Sequence, residues 1–234
     1  MSPRILSLDT TSEHGSLALI EEGRIVGEFV MDSTAGFGHV LFGRIEDLLH
    51  TRGWDLSDVD AFAAAAGPGS FTGIRVGLAA VKGLAMALGR QAVAVSNLQA
   101  LAWHGSAPLR AAVIDARRGE VYGAVYSASL QILQPEVVTT LPRWLESLPG
   151  GDLELVAADG GCLAAALEAA PHRRFAAREG PQAMAGAVGA IAWTRLKDGL
   201  AKDPGSLEAN YVRLSDAELL WKEPGSESPP KAGG

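Results

Sequence analysis

A glycine-rich segment is the part of this sequence whose residue types and spacing most directly suggest chemistry. It runs from Gly67 to Gly77, reads Gly-Pro-Gly-Ser-Phe-Thr-Gly-Ile-Arg-Val-Gly, and lies between an apolar run and an apolar helical pattern. Glycine is needed where the backbone takes a positive φ or approaches another group closely, and free amides at a helix start attract anions. The segment therefore predicts a strand, a tight turn and a helix start, and the turn is either a phosphate cradle or a site of close backbone packing.

The common loop motifs do not fit this segment. No lysine follows Gly73 as a Walker loop requires, the third glycine comes one residue late for a dinucleotide loop, and Ser70 lacks the flanking glycines of a hydrolase elbow. Ser70 and Thr72 can instead cap the helix. The loop residues expected to fix that helix are Gly67, Pro68, Gly69, Ser70 and Gly73.

Histidine and cysteine give little support for a metal or nucleophile site. The five histidines are scattered, with none within ten residues of another, and no local motif favours a Ser/His/Asp arrangement. The one cysteine, Cys162, follows two glycines at an expected helix start, where a thiol can be activated, but a buried apolar role is the more usual one. The sequence therefore predicts no catalytic residue and no metal site.

The elements that must position these residues occur twice in the same order. The first set comprises strands 5–9, 15–20, 25–31, 61–66 and 92–95, with helices 38–52, 73–88 and 98–104. The second comprises strands 111–115, 121–126, about 131–138 and 153–157, with helices 141–148, 163–170 and 181–196. Two consecutive β-β-β-α-β-α lobes predict an α/β protein with paired mixed sheets and helices on their faces.

Composition and charge limit the class of protein. The chain has 234 residues, of which 47% are hydrophobic, and this proportion indicates one large globular domain or two lobes. Its net charge is −7, whereas proteins that grip nucleic acid usually carry a basic face. We therefore expect basic pairs such as Arg117 and Arg118 to be mainly solvated surface, because no aromatic residues are interleaved with them in the sequence.

Location is also constrained by the sequence. No apolar run approaches the roughly 18 residues of a membrane helix, the N-terminus enters a strand without the layout of a signal peptide, and a single cysteine is compatible with a reducing compartment. We expect a cytoplasmic protein that does not enter a membrane.

Four segments, in order along the chain, resemble the bacterial TsaB (YeaZ) family. One is the glycine-rich segment. The others are Ile-Leu-Ser-Leu-Asp-Thr-Thr at 5–11, Ile-Asp-Ala-Arg-Arg-Gly-Glu-Val-Tyr at 114–122, and Asn-Tyr-Val-Arg at 210–213 followed by Trp-Lys at 221–222. The resemblance implies the duplicated ribonuclease-H-like fold of the actin, sugar-kinase and Hsp70 (ASKHA) superfamily. We expect an N-terminal lobe at 1–105, a C-terminal lobe with a returning segment at 106–222, and a disordered tail at 223–234.

Nucleotide-binding members of that superfamily hold phosphate between two hairpins, each with an aspartate. Here Asp9, Thr10 and Thr11 stand at the first hairpin and Asp115 at the second. They are either residues that end strands and cap turns or a vestigial or shared nucleotide site. A kinase-like phosphotransferase using both aspartates therefore remains an alternative. A metallopeptidase-like hydrolase is another, although the family's catalytic relative TsaD holds metal with a His-x-x-x-His pair, and position 43 after His39 is glycine.

The resemblance implies a non-catalytic subunit that docks TsaD through N-terminal helices, pairs with itself when alone, and is joined by the ATPase TsaE. TsaD then modifies adenosine 37 to N6-threonylcarbamoyladenosine (t6A) in tRNAs reading ANN codons. We expect tRNA to bind mainly through the complex, and ATP or ADP and metal to bind on partner subunits, with no cofactor on this chain. The expected partner and dimer interface consists of Leu41, Phe42, Ile45, Leu49, Ile74, Gly77, Leu78 and Val81.

Overall fold

Two five-stranded mixed sheets with the same strand order form the protein. The computed structural model of the chain describes residues 2–32, 36–172 and 175–213. The order is β3-β2-β1-β4-β5 in the first sheet and β10-β9-β6-β7-β8 in the second, which is the same order read from the opposite edge. In each sheet the first three strands are antiparallel and the last two are parallel to the first. The predicted duplicated ribonuclease-H-like fold is confirmed.

The first sheet and the helices that follow its strands lie in the first 103 residues. The strands are β1 (Arg4–Asp9), β2 (His14–Glu21), β3 (Arg24–Asp32), β4 (Ala61–Ala65) and β5 (Gln91–Val95), and the helices are α1 (Phe37–His50), α2 (Phe71–Leu88) and α3 (Asn97–Trp103). The central strands β1 and β4 are buried on both faces, which explains the continuous apolar run of β4.

The second sheet repeats the pattern. Its strands are β6 (Leu109–Arg117), β7 (Glu120–Ser127), β8 (Ile132–Thr140), β9 (Leu153–Ala157) and β10 (Ala176–Glu179), and its helices are α4 (Leu141–Ser147), α5 (Gly160–Ala169) and α6 (Ala185–Lys197).

Helices cover both faces of each sheet, and two of them pack on the sheet to whose half of the chain they do not belong. α1 and α2 pack on one face of the first sheet, and α4 and α5 on one face of the second. The remaining faces are covered by the helix that follows the other sheet: α6 packs on the first sheet and α3 on the second, and the two helices contact each other. The core therefore continues through the junction between the sheets.

The prediction lacked one strand, β10, and placed the starts of two helices, α5 and α6, at other residues. β10 had no prediction, because all of its four residues are exposed and show no apolar pattern. α5 begins at Gly160, three residues before the predicted start, since Asp159 accepts a hydrogen bond from the Cys162 amide at 2.8 Å and caps it. α6 begins at Ala185 and not at position 181.

One helix bears on the expectation that no segment could cross a membrane. α2 has 18 residues and is long and apolar enough by length and composition, which corrects the expectation drawn from continuous apolar runs. The finding is weak support for a membrane span, because the core helix of a globular protein passes the same test, and α2 packs on β4 and β5. The expected tail at 223–234, the Trp-Lys pair at 221–222 and the basic pair at 173–174 lie outside the described residues.

Candidate functional site

The glycine loop between β4 and α2 is fixed by residues far away in the sequence. The amide of Gly67 donates to Oδ1 of Asn97 at 2.9 Å, and the amide of Asn97 donates to the carbonyl oxygen of Gly67 at 2.8 Å. Gly67 has φ +107°, and a Cβ there would lie 2.9 Å from the carbonyl oxygen of Asn210. Ser70 caps α2, because its Oγ accepts from the amide of Gly73 at 3.2 Å.

The β1–β2 hairpin packs directly on this loop. The amide of Ser70 donates to the carbonyl oxygen of Thr11 at 2.7 Å, and Oγ1 of Thr10 donates to that of Gly73 at 2.7 Å. A Cβ on Gly73 would lie 1.8 Å from the carbonyl oxygen of Thr10, and one on Gly69 would lie 2.7 Å from that of Thr11. Of the two roles that the sequence left open, these contacts favour close backbone packing over a phosphate cradle.

Asp9 faces the interior of its own turn. Its Oδ1 accepts hydrogen bonds from the amide of Thr11 at 2.8 Å and from the Thr11 hydroxyl at 2.6 Å. Burial raises the pKa of Asp9, and these two hydrogen bonds oppose the rise. The side-chain amide of Asn97 donates to the same hydroxyl, so this carboxylate and its neighbours form a closed network.

This geometry tests whether a nucleotide fits between the hairpins, as it does in other members of the superfamily. A phosphate at the first hairpin would need space beside Thr10 and Thr11. The backbone of the glycine loop lies in contact there, and both threonine side chains are buried and hydrogen-bonded. Thr10 and Thr11 therefore leave no space beside them for a nucleotide phosphate, although Ser12 and Glu13 at the tip of the hairpin are exposed.

The second hairpin, between β6 and β7, is more open. Oδ1 of Asp115 accepts a hydrogen bond from the backbone amide of Arg117 at 2.8 Å, so this arginine reaches the carboxylate through its main chain. Arg117, Arg118 and Gly119 all have positive φ, at 65°, 56° and 77°, and they form the tight turn that the glycine allows. Asp115 is exposed.

The segment 210–213 joins the glycine loop to this second hairpin. The amide of Asn210 donates to the carbonyl oxygen of Ala66 at 2.8 Å. Nη1 of Arg213 donates to the carbonyl oxygen of Ala116 at 3.1 Å, and its guanidinium forms an ion pair with Glu120. The described parts of the four segments that resemble family signatures, 210–213 in the case of the last, are thus linked at one place, which we call the junction.

A glutamate that no sequence motif marked also lies at the junction. Glu136, on β8, accepts hydrogen bonds from the hydroxyl of Ser96, from the Tyr126 hydroxyl at 2.7 Å and from Nδ2 of Asn210 at 2.6 Å. Burial, together with the neighbouring Glu136 carboxylate, raises the pKa of Tyr126. Sequence reasoning missed Glu136 because one polar residue in an edge strand is usually solvated.

The structure corrects which residues of α1 and α2 are available to a partner. Only Phe42, of the eight residues predicted at the interface, is exposed, at 56%. The other seven are buried in the core of the first lobe, against the sheet or the hairpin: Leu41, Ile45, Leu49, Ile74, Gly77, Leu78 and Val81. These seven expose little surface, although Ile45 and Leu49 line the groove beside Phe42, so partner contact through them stays a prediction that their burial does not support.

A different set of residues on the same helices does face solvent. Phe42 stands near Leu84 at a groove of about 300 Å³ between α1, α2 and the turn at 54–56. On α2 the small residues Ala79 and Gly83 are exposed, and Met86 is 66% exposed. The spacing of 79, 83 and 86 places them on one side of the helix. We call Phe42 on α1, together with Ala79, Gly83 and Met86 on α2, the α1–α2 face; Leu84 is not part of it, because it points about 160° away from Met86 around the helix.

Metal-ligating and nucleophilic groups are not brought together. Within the described residues no group of three or more His, Cys, Asp or Glu could hold a metal ion. His39 is exposed, and His14 pairs with Asp32 at 3.0 Å. Cys162 is buried in the core of the second lobe, and burial, with the nearby Asp159 carboxylate, raises its pKa to about 12. This thiol is therefore not activated.

Comparison with known proteins gives one consistent result. The family model described as "TsaD: tRNA N6-adenosine threonylcarbamoyltransferase" matches residues 39–219. The chain is 28% identical to the TsaB protein of Bacillus subtilis over 94% of this chain and 98% of that protein. It is 36% identical to the TsaB protein of Escherichia coli, over 58% of this chain, and the match spans 64% of that relative's length.

The fold agrees with a solved structure of similar sequence. A protein of Pseudomonas aeruginosa, described as similar to the peptidase YeaZ, superimposes with a TM-score of 0.77 at 28% identity, over 90% of this chain and 100% of that one. Both E. coli and B. subtilis relatives carry the name tRNA threonylcarbamoyladenosine biosynthesis protein TsaB. The chain therefore belongs to the TsaB (YeaZ) family, within the wider group that the TsaD family model describes.

Proposed function

We propose that this chain is a non-catalytic subunit that binds and activates TsaD for the formation of t6A at position 37 of tRNAs reading ANN codons. Family membership supports a role in t6A biosynthesis, because the curated relatives are named for that pathway. Our proposal goes beyond family membership in two respects: this chain docks TsaD, and it does not itself catalyse the reaction.

The contrast between the two ends of α2 is the observation that carries the proposal. At its start, the hairpin that would hold a phosphate is packed against Gly73 and closed. Along its length, α2 exposes Met86 on the same side as the small residues Ala79 and Gly83, and α1 exposes Phe42 beside the groove. Large apolar side chains beside small ones allow a second helix pair to approach closely. The chain thus exposes apolar surface that a partner helix pair could cover, whereas Asp9, Thr10 and Thr11 of the first hairpin are buried.

The expected occupant of this face is the related helix pair of TsaD. Because a TsaD family model matches this chain, both proteins present helices of a similar lobe, and two such faces can pair about a pseudo-two-fold axis. For the same reason we expect a homodimer when the chain is alone. We propose that TsaE joins the heterodimer, that tRNA binds mainly through the complex, and that nucleotide and metal bind on the partner subunits, in the cytoplasm.

Direct binding measurements test the docking face. We expect Phe42→Glu and Met86→Glu each to weaken binding of TsaD by more than about tenfold, since each buries a charge in an apolar contact. Titration calorimetry with the TsaD of the same organism measures the affinity. Leu167→Glu is the matched control, because Leu167 is an exposed apolar helix residue of the second lobe.

The TsaD titration, together with ATP titration and metal analysis of the isolated chain, distinguishes the rival functions. Unchanged TsaD affinity for both face variants would refute the docking surface. Micromolar ATP affinity of the chain without a partner would favour the kinase-like alternative, and a stoichiometric tightly held metal ion would favour a hydrolase.

A further inference from the structure

Aromatic and basic side chains meet on the surface at the N-terminal end of α2. The rings of Phe71 and Tyr211 lie with their centroids 5.3 Å apart, and the guanidinium carbon of Arg75 lies 3.7 Å from the centre of the Phe71 ring. Nε of Arg75 donates to the Tyr211 hydroxyl at 3.2 Å. Phe71 is 41% exposed and Tyr211 40% exposed, and Arg75 is exposed. A stacked and partly solvated group of this kind is preordered for a further planar ligand.

Two more arginines extend this group towards the second hairpin. Arg213 follows Tyr211 by two residues, and its guanidinium lies 5.9 Å from the centre of the Tyr122 ring. Arg117 is exposed at the hairpin tip, next to the carbonyl oxygen that Arg213 binds. We call Phe71, Arg75, Arg117, Tyr211 and Arg213 the arginine–aromatic cluster.

Acidic groups reduce the charge of this cluster without cancelling it. Glu120 is paired with Arg213, and Asp115 lies beside Arg117 and is exposed. With Arg118 at the hairpin tip, four arginines lie near three carboxylates, because Glu136 binds Asn210 next to Tyr211, on a chain whose net charge is −7. The cluster thus keeps a small excess of positive charge on an acidic protein.

The fold brings together basic and aromatic side chains that are far apart in the sequence. The basic pair at 117–118 has no interleaved aromatic residues in the sequence, and the prediction from it was mainly solvated surface. Arg75 and Tyr211 are 136 residues apart, and the segment 210–213 brings them together.

We propose that the arginine–aromatic cluster is a contact surface for an unpaired stretch of RNA, and this inference rests on the proposed function. Single-stranded RNA is recognised by stacking of splayed bases on aromatic rings and guanidinium planes, with arginines neutralising phosphates. The curated relatives are named for modification of tRNA, whose loops supply such bases. The cluster therefore fits this ligand in both shape and charge.

Its position explains how an acidic chain can contribute to RNA binding. Phe71 and Met86 are 15 residues apart on α2, which corresponds to about 22 Å along a helix. A partner seated on the α1–α2 face would stand beside the cluster, and one RNA could touch both proteins. The chain then supplies a minor part of a composite site, which agrees with its overall charge.

Fluorescence anisotropy with a labelled, unmodified tRNA transcript and the full complex of this chain with TsaD tests the proposal. We expect Arg75→Ala, Arg117→Ala and Tyr211→Leu each to weaken tRNA binding about fivefold or more. The two arginine variants should also reduce the slope of log affinity against log salt by about 0.7 for each phosphate that is no longer neutralised. Tyr211→Phe keeps the ring and should retain affinity.

The control is Arg24→Ala, because Arg24 is exposed near the end of β2 that is remote from the β1–β2 hairpin, about 20 Å away. Thermal unfolding of each variant shows that it is folded, and titration with TsaD shows that the complex forms. Normal complex formation with unchanged tRNA affinity and salt slope would overturn the RNA proposal alone. If the cluster variants instead lose TsaD affinity, the cluster is a protein contact and the RNA proposal is wrong. Failure of Phe42→Glu to affect TsaD binding would count against the proposed function separately.

Discussion

Gly73 shows how much of the site could be predicted from the sequence at the scale of single residues. The sequence predicted that glycines in this loop serve close approach or positive φ, and the structure shows both, at Gly73 and at Gly67. The group that approaches Gly73 is Thr10, which is 63 residues away. A local pattern indicates that a close neighbour exists, but only the fold says which one.

Replacing Gly73 by alanine should destabilise the protein by about 3 kcal/mol, because the new Cβ would clash with the Thr10 backbone. Gly83→Ala, on the same helix, is the control: nothing lies within 4 Å of a Cβ there, so this change should be neutral or stabilise by up to about 1 kcal/mol. Urea unfolding of both variants measures the difference. Equal stabilities would contradict the close packing of hairpin and loop.

The apolar residues of α1 and α2 mark the limit of sequence reasoning at this scale. Helical spacing correctly indicated apolar sides, but Ile45 and Leu78 proved to be buried against the first lobe's own sheet. A hydrophobic pattern reports that a residue is covered and does not report by what. The exposed Met86 and Phe42 became distinguishable only after the helices were placed on the sheet.

At the scale of elements, most strands and helices were predictable because their patterns are local, whereas β10 and the starts of α5 and α6 were not. The backbone amides at the start of α6 donate hydrogen bonds to residues of the first sheet. The amides of Met184 and Ala185 donate to Oγ of Ser16 at 3.0 and 2.9 Å, and the Gly186 amide donates to Glu28 at 3.0 Å. Ser16 lies 168 residues before Met184, so no motif beside the helix could mark the cap.

We expect Ser16→Ala to destabilise the protein by about 2 kcal/mol, because one buried and one partly buried amide at the start of α6 would lose their acceptor. Ser12→Ala is the control, since Ser12 is exposed and bonds only to its own turn among the hydrogen bonds described; its effect should stay within about 0.5 kcal/mol. Thermal unfolding measures both. If Ser16→Ala unfolded like Ser12→Ala, the long-range cap would contribute nothing to stability.

At the scale of the whole molecule, the described residues of the two lobes are joined by connections that the repeat did not reveal. α3 and α6 each pack on the sheet of the other lobe, and the segment 210–213 spans the glycine loop and the second hairpin. The repeat of elements was sufficient to predict two similar sheets. It could not predict this exchange, because packing between distant elements leaves no periodic signal.

Asn210→Ala should loosen this connection without unfolding either lobe. It removes the side-chain bonds to Glu136 and to the Gly67 carbonyl, and we expect a loss of about 1 to 2 kcal/mol in stability. Native-state hydrogen exchange should quicken at the Gly67 and Asn97 amides more than in the core of the second sheet. Uniform exchange across both lobes would instead indicate that the segment does not fasten the junction.

Reconstituted t6A formation is the decisive measurement of whether this chain acts by docking to TsaD and contributes no reactive carboxylate. The assay measures t6A on an unmodified tRNA, with TsaD, its adenylate substrate and TsaE present, and with this chain wild type, Phe42→Glu or Asp115→Asn. We expect no product from the chain alone, stimulation by the wild type and by Asp115→Asn, and loss of stimulation with Phe42→Glu. Full stimulation by Phe42→Glu together with loss in Asp115→Asn, while Asp115→Asn still binds TsaD, would contradict the docking role.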